Sequence, residues 1–286
     1  MTHIISTAQL AIGLLLATIP GCSLLFDEAQ TDGCGPSLTG TIGYFSIDND
    51  LGTILTDTRM GVIAQSVAVS DGLPFELATI GGPPGCQQAL RVRGAQGGVI
   101  TLDSDAFRSA TSVDFWFKSP QLPSETNSVG LLTKDGRNNA IGDVGIHLFD
   151  SGDTPGFRVI LRVQDVAEAY FACSQATIAK DQWHHIAVSF DSTDGVVMYV
   201  DGIMADSDAQ IEGSSLGFID CGSPSEAAKA TLEQNDRSWL WGASNVSAPD
   251  IPIENPMIGA VDELRFRDEK FTQADAQDVY RAVIQP

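Results

Sequence analysis

Residues 181–201 place the strongest constraint on what this chain can fold into. Apolar and polar residues alternate along 186–190, and β-prone residues fill 196–200. The intervening Asp-Ser-Thr-Asp-Gly of residues 191–195 combines turn-forming side chains with a glycine that adopts positive φ without strain. Because successive side chains of a strand point to opposite faces, this pattern predicts a β-hairpin with one buried face.

Segments with similar alternation recur along the chain and are separated by turns rich in Gly, Asp and Pro. The clearest is 112–118, in which Val113, Phe115 and Phe117 share one face. Strands at this spacing predict a sandwich of antiparallel sheets rather than alternating β–α units. After the last strand, Thr272 opens a capping-box pattern that predicts a short helix to about Ala282.

Two motifs resemble the laminin-G-like, concanavalin-A-like jelly rolls. One is the hairpin WHHIAVSFD followed by VMYVDG, and the other is IGAVDELRF at residues 258–266. The resemblance covers roughly residues 40–282. It implies an all-β, two-sheet antiparallel jelly-roll sandwich with a short C-terminal helix. It implies little about activity, because this fold hosts lectins, adhesion modules and glycosidases.

Residues 1–21 have the pattern of a signal peptide. The apolar stretch 10–19 is too short to cross a bilayer, and it ends at Pro20-Gly21-Cys22, which resembles the lipobox of bacterial lipoproteins. This resemblance implies lipidation of Cys22, and Ser23 in the next position implies an address at the outer membrane or cell surface. An ordinary signal peptide cleaved nearby is the alternative, because no Lys or Arg precedes the apolar stretch.

The remaining chain divides into a tether and one domain. Residues 22–39 are polar and contain Gly and Pro, which predicts a tether between the membrane and the folded part. Residues 40–286 are predicted to form the laminin-G-like domain.

Four cysteines remain once Cys22 is set aside as the lipid anchor: Cys34, Cys86, Cys173 and Cys221. An even number in an exported chain predicts two disulfides, with three possible connectivities. We favour Cys34–Cys86 with Cys173–Cys221, because this pairing crosses the fewest strands. Zinc is not expected, because the sequence has neither a CxxC motif nor a Cys/His cluster.

The formal net charge of −21 argues against nucleic acid or an anionic membrane surface as a partner, since both require clustered cations. Membrane contact is therefore expected only through the lipid anchor. The excess carboxylates either form a solvated surface or include ligands for calcium, which binds oxygen atoms.

The jelly-roll resemblance implies a structural calcium ion between the end of the first strand and the final G-x-[IV]-D strand. The matching residues are Asp48, with Asp50 as an alternative, and Asp262. In the competing interpretation, Asp48 and Asp50 form turns and Asp262 pairs with Arg265 or a backbone amide.

Catalytic motifs are missing from the sequence. Glycoside hydrolysis usually needs two carboxylates about 5–10 Å apart, yet no E-x-D-x-E pattern is present. Asp262 and Glu263 are adjacent and are predicted to point to opposite faces of a strand. No G-x-S-x-G motif supplies a nucleophile, and His184 and His185 are expected to be scaffold. We therefore expect a non-enzyme.

Aromatic residues are candidates for stacking on sugar rings. Trp239, Trp241, Tyr170 and Trp116 are considered for this role, and core packing is favoured for Trp183 and Trp241. The sequence assigns no ligand-binding residue.

The expected function is that of a lipid-anchored, non-catalytic binding module for a glycan or for an extracellular or envelope protein. The alternatives are a glycan-cleaving enzyme of the same fold with an unrecognised site, and a structural envelope lipoprotein.

Overall fold

The computed structural model describes eighteen ranges of the chain, all within the unit Thr31–Pro286. The predicted signal peptide, Cys22, Asp48, Asp50 and Cys221 lie outside these ranges. The described residues are 34–47, 54–56, 63–68, 76–78, 81–93, 98–102, 107, 110–120, 128–134, 143–150, 157–164, 169–174, 178–191, 195–205, 210–214, 217–220, 238–244 and 256–284.

The described residues form eighteen strands and one helix. In chain order they are β1 Thr41–Phe45, β2 Ile54–Thr56, β3 Ile63–Ala68, β4 Glu76–Ala78, β5 Ala89–Arg93, β6 Gly98–Leu102, β7 Ser112–Lys118, β8 Val129–Lys134, β9 Val144–Asp150, β10 Phe157–Gln164, β11 Ala169–Cys173, β12 Trp183–Asp191, β13 Gly195–Val200, β14 Ile203–Met204, β15 Gln210–Ser214, β16 Gly217–Asp220, β17 Trp239–Trp241, β18 Ile258–Arg267 and α1 Gln273–Ile284.

Two eight-stranded antiparallel sheets make up the sandwich. Sheet A has the order β14-β13-β12-β7-β18-β5-β4, with β1 also paired to β18, and sheet B has the order β11-β10-β9-β8-β17-β6-β3-β2. Strands β15 and β16 form a separate hairpin. The predicted all-β, two-sheet jelly roll with a short C-terminal helix is confirmed.

The hairpin predicted at residues 181–201 is formed by β12 and β13 and runs across sheet A, with Ile186 opposite Val200 and Asp191 opposite Gly195. Asp201 and Gly202 have φ values of 52° and 75°, the left-handed pair that a tight hairpin turn requires. This turn returns the chain into β14.

The main core lies between the two sheets, as strand alternation predicts. Phe115 and Val188 reach it from sheet A, and Ile146, Leu148 and Trp241 reach it from sheet B. Their neighbours along each strand point outward. The outward-facing residues of sheet A form a second surface, which contacts the C-terminal helix and carries the candidate sites.

Helix α1 covers part of that outer face. Its Ala276 and Val279 form a second buried cluster with Phe271, Ala187 and Tyr199. The predicted cap is present: the Asp275 amide donates to Thr272 Oγ1 at 3.2 Å, and the Thr272 amide donates to Asp275 Oδ2 at 2.9 Å. Across the described ranges, no helix has both the length and the hydropathy that a membrane span requires.

The segment 34–40, here named the N-terminal strap, also lies against sheet A. The guanidinium of Arg265 donates to the Pro36 carbonyl at 3.1 Å, and that of Arg267 donates to the Thr39 carbonyl at 2.9 Å. Residues 34–39 of the predicted tether thus contact the domain.

The described residues test one of the two predicted disulfides. Cys34 is bonded to Cys86, with their Cα atoms 5.0 Å apart, so this predicted pair is confirmed. Cys173 is also disulfide-bonded. Its predicted partner Cys221 lies outside the described ranges, so that pairing stays a prediction.

Candidate functional site

Strand β18 exchanges one neighbour for another in its middle, and a bulge marks the exchange. Its first part pairs with β5 as far as Val261, and its second part pairs with β1 from Leu264 onward. Against β7, Asp262 lies opposite Trp116 and Arg265 lies opposite Asp114, so β18 carries one extra residue here.

The bulge overturns one expectation from the sequence. Glu263 has a φ of 54°, a left-handed conformation that is uncommon for a residue with a side chain. The extra residue interrupts the alternation, and both carboxylates come to lie beside Cys34. The prediction that Asp262 and Glu263 point to opposite faces is therefore wrong.

Glu263 is buried between the bulge and the N-terminal strap. The hydroxyl of Tyr44 donates a hydrogen bond to its Oε2 atom. Burial raises the pKa of Glu263 to about 7, while Arg265 and the backbone amides of Gly35 and Cys34 oppose this rise. The carboxyl group therefore changes charge near neutral pH, although it is only 1% exposed.

Asp262 is the described member of the predicted calcium pair, and it is fully buried. Its Oδ1 accepts a hydrogen bond from the Glu263 amide at 2.8 Å. A methyl group built at Gly82 would lie 3.1 Å from Asp262 Oδ2 and 2.6 Å from the Gln88 carbonyl oxygen. Gly82 is thus closely packed against the Asp262 carboxylate and the Gln88 carbonyl, and a larger residue here would displace them. Both groups are oxygen types that calcium binds.

The sulfur atoms near Asp262 do not extend this ligand set. Cys34, Cys86 and Asp262 bring potential ligand atoms within 4.8 Å of one another. The two cysteines are joined in a disulfide and so offer no thiolate. Because Asp48 lies outside the described residues, the calcium site stays a prediction.

A buried ionic network connects β7, β12 and β18 on the outer face of sheet A. Asp114 Oδ2 lies 3.2 Å from His185 Nε2, and Asp114 Oδ1 lies 3.7 Å from Arg265 Nε. The His185 ring is in contact with the rings of Trp116 and Phe271. The network is closed to solvent and agrees with a scaffold role for His185.

His184 belongs to the hairpin turn. Its Nδ1 lies 2.7 Å from Asp201 Oδ2, while Asp201 Oδ1 accepts the amide hydrogen of His185 at 2.9 Å. These bonds hold the left-handed turn at Asp201. His184 is thus also scaffold, as expected.

Three tryptophans considered for sugar stacking are buried. Trp239 and Trp241 belong to the main core, and Trp116 stacks on Tyr280 of α1 with ring centroids 6.0 Å apart. Core packing, which was favoured for Trp241, is therefore confirmed, and the sugar-stacking hypothesis is wrong for Trp239 and Trp116. The side chain of Tyr170 lies outside the described part.

Trp183 is more exposed than the sequence predicts. It was expected in the core, yet it is partly exposed and belongs to neither buried cluster. Trp183 and His185 face outward on the same strand, two residues apart. Phe271 contacts His185 and α1 contacts its neighbour Trp116, but neither cover extends to Trp183.

Sheet A aligns Trp183 with three residues that the sequence analysis did not single out. Trp183 of β12 lies opposite Lys118 of β7, Lys118 lies opposite Ala260 of β18, and Ala260 lies opposite Arg91 of β5. We name these four residues the surface row. Paired residues of a sheet share a face, and strands lie about 4.8 Å apart, so the row is roughly 14 Å long.

The surface row combines an aromatic ring with cationic groups. Lys118 Nζ lies 5.9 Å from the centroid of the Trp183 ring, and the two residues are partly exposed. Ile258, two residues before Ala260 on β18, is 38% exposed beside them. Alternation within each strand was visible in the sequence, but the register that aligns the four strands was not.

The family comparison matches residues 93–217 to the model described as the concanavalin A-like lectin/glucanases superfamily. A search of the curated proteins found no match to the sequence.

Several solved structures are similar to the chain. Domain 4 of an extracellular arabinanase from Geobacillus stearothermophilus, solved with arabinotriose, is 19% identical with a TM-score of 0.55, and the match covers 84% of this chain and 98% of that one. Trypanosoma rangeli sialidase is 13% identical with a TM-score of 0.56, over 86% of this chain and 35% of the sialidase.

The binding domain of botulinum neurotoxin DC, solved with SialylT, is 10% identical with a TM-score of 0.57, over 86% of this chain and 52% of that one. The similar structures thus include binding domains and enzymes, and the fold alone does not decide whether this chain is catalytic. The match over residues 93–217, the two antiparallel sheets and these likenesses identify the fold of the described residues as a concanavalin A-like jelly roll.

Proposed function

We propose that this protein is a non-catalytic, extracytoplasmic binding module that recognises a glycan. The observation that carries the proposal is the partial exposure of Trp183 on the outer face of sheet A, beside Lys118. A flat aromatic ring with a polar neighbour is the arrangement that stacks on a sugar ring and fixes its substituents.

Burial of the carboxylates favours binding over catalysis. Asp114, Asp262 and Glu263 are each at most 1% exposed. Asp114 is held by His185, and Glu263 is held by Tyr44. A glycosidase needs two carboxyl groups open to the scissile bond, and these three are closed to it.

Calcium at Asp262 and lipidation at Cys22 complete the proposal. Asp262, with Asp48, would supply carboxylate oxygens to the ion, which would neutralise their charge and tie the bulge of β18 to the end of β1. Cys22 would carry the lipid and place the domain at the outer membrane or cell surface. The Cys34–Cys86 disulfide supports export, because such bonds persist in oxidising compartments.

The test is depletion of the protein from solution by a panel of insoluble polysaccharides, with calcium and again with EDTA. Retention on at least one polymer, without release of reducing ends, is the expected result. Release of reducing ends would overturn the non-catalytic assignment, and failure to bind every polymer would overturn glycan recognition. For the lipid anchor, Cys22→Ser should move the protein from the membrane fraction to the soluble fraction.

A protein partner is the second candidate, and the edge of sheet A favours it. Ile203 and Met204 of the edge strand β14 are 51% and 46% exposed, which is unusual for large apolar side chains at a strand edge. Protein recognition through this edge predicts that Ile203→Asp weakens binding while Trp183→Ala does not.

A further inference from the structure

We propose that the surface row binds an acidic polysaccharide, with Trp183 stacked on one sugar ring and with Lys118 and Arg91 facing its carboxylate or sulfate groups. The proposal rests on glycan recognition as the function and names the class of glycan and the place where it binds.

The register of sheet A supports a linear ligand. Four neighbouring strands contribute one residue each, so the side chains follow a straight line across the sheet. Ala260 lies in the middle of that line and leaves it shallow. A row of roughly 14 Å suits several consecutive sugar units of a chain that runs across the strands.

Among the described residues, α1 and the N-terminal strap cover the middle of the outer face of sheet A and leave the surface row uncovered. Helix α1 covers Trp116 through Tyr280, and the N-terminal strap covers Arg265 and Arg267. Partly exposed Trp183 and Lys118 lie one outward-facing position beyond the covered Trp116 and His185. The surface row is therefore a part of this face that a ligand can reach.

The charge of the surface row favours an acidic glycan over a neutral one. The whole chain carries 16 Lys and Arg against 37 Asp and Glu, yet the surface row has two cations and no carboxylate of its own. Exposed Lys180 lies three residues before Trp183 in the chain. Among the described residues, acidic positions near the row include Asp181, which is exposed, and Glu76, which lies opposite Arg91 in the register of β4 and β5.

A local excess of cations on an acidic protein concentrates an anionic ligand at that place and repels it from the rest of the surface. The Trp183 ring also selects for ligand shape, which charge alone does not. It favours a polyanion with flat sugar faces over one without rings.

The test measures the affinity of the full chain for three soluble probes: an oligogalacturonate, a sulfated glycosaminoglycan fragment and a neutral oligosaccharide of the same length. Poly-glutamate serves as a polyanion without sugar rings. We expect binding of at least one acidic glycan, weakened by added salt, and much weaker binding of the neutral probe and of poly-glutamate. Which acidic glycan binds distinguishes carboxylate from sulfate recognition.

Matched variants locate the site. Trp183→Ala and Lys118→Glu should each weaken binding by about tenfold or more, while Lys118→Arg and Trp183→Phe should retain most of it. Lys270→Glu makes the same charge change at an exposed position beyond the far end of β18 and should leave affinity unchanged. The fold of each variant is checked by its circular dichroism spectrum, and the conservative pair keeps the test decisive if Trp183→Ala unfolds.

The outcomes separate the two proposals. Salt-insensitive binding of the neutral probe, equal binding of poly-glutamate, or normal affinity in Lys118→Glu would overturn the acidic-glycan site and leave glycan recognition standing. Failure to bind any soluble or insoluble glycan would overturn both.

Discussion

The hydroxyl of Tyr44 donates a hydrogen bond to the carboxyl group of Glu263, and this bond joins the first strand of sheet A to the bulge in its last strand. Arg265 lies against the same tyrosine, with its guanidinium carbon 5.0 Å from the ring centroid. The amides of Cys34 and Gly35 also act on Glu263. The bulge therefore holds the N-terminal strap through a buried carboxyl group whose pKa is about 7.

Glu263 should make stability fall as pH rises. Its pKa is raised from 4.5 to about 7 by burial, so between these values the unfolded chain ionises while the folded chain keeps its proton. Above pH 7 the folded protein also carries the ionised Glu263, and the loss of unfolding free energy reaches its full value, on the order of 3 kcal/mol. Glu263→Gln cannot ionise, so urea denaturation should show it more stable than the wild type at pH 8, with the advantage shrinking toward pH 4.5.

Glu269→Gln is the control for that experiment, because Glu269 is an exposed carboxylate on the same side of the domain. It shows how much of the response comes from removing an exposed carboxylate alone. A Glu263→Gln advantage that is equal at pH 4.5 and pH 8 would contradict a raised pKa.

The Cys34–Cys86 disulfide should stabilise the domain by restricting the unfolded chain. The bond closes a loop with a sequence separation of 52, for which the chain-entropy relation gives about 4 kcal/mol. Cys34→Ser with Cys86→Ser should lower the free energy of unfolding by up to that amount in guanidinium titrations. Cys22→Ser, a change of the same chemistry outside this pair, should leave it unaltered. Equal stability of the double variant and the wild type would show that the bond adds nothing.

Asp114 should prove structural rather than catalytic. Asp114→Asn removes the carboxylate that lies 3.7 Å from the buried Arg265 Nε, which should cost about 3–5 kcal/mol of unfolding free energy. Affinity for the glycan probes should remain at the wild-type level, measured below the melting transition. Loss of affinity in a folded Asp114→Asn protein would instead connect this network to the binding site.

Calcium should stabilise the protein through Asp262. A ligand at about 100 times its dissociation constant adds about 2.7 kcal/mol to the stability of the state that binds it. Calcium should therefore raise the melting temperature of the wild type, and EDTA should reverse the rise. Asp262→Asn keeps an oxygen acceptor for the Glu263 amide but lacks the charge, so it should abolish the effect.

Asp268→Asn, at an exposed position just after β18, should retain the calcium response. A melting temperature that calcium leaves unchanged in the wild type would remove Asp262 from consideration as a ligand.

Much of the fold could be predicted because its signals are local. Alternation from Ile186 to Phe190 and the Asp201-Gly202 turn specify the β12–β13 hairpin, and Thr272 specifies the start of α1. The Cys34–Cys86 pair was favoured among three connectivities because it crosses the fewest strands, and it is confirmed.

The candidate site was less accessible to prediction because it depends on non-local alignment. Strand alternation placed Asp262 and Glu263 on opposite faces, but the bulge, where β18 exchanges β5 for β1, put both beside Cys34. The jelly-roll resemblance favoured core packing for Trp183, yet its burial depends on how far α1 extends over sheet A.

The sequence by itself determined the strands, the turns, the helix cap and the excess of acidic residues, because each depends on residues close together in the chain. Only the tertiary structure decided that Trp183, Lys118, Ala260 and Arg91 form one row and that Glu263 is buried under the N-terminal strap. The physical reason is that sheet register and burial arise from contacts between strands far apart in sequence, and no single strand contains that information.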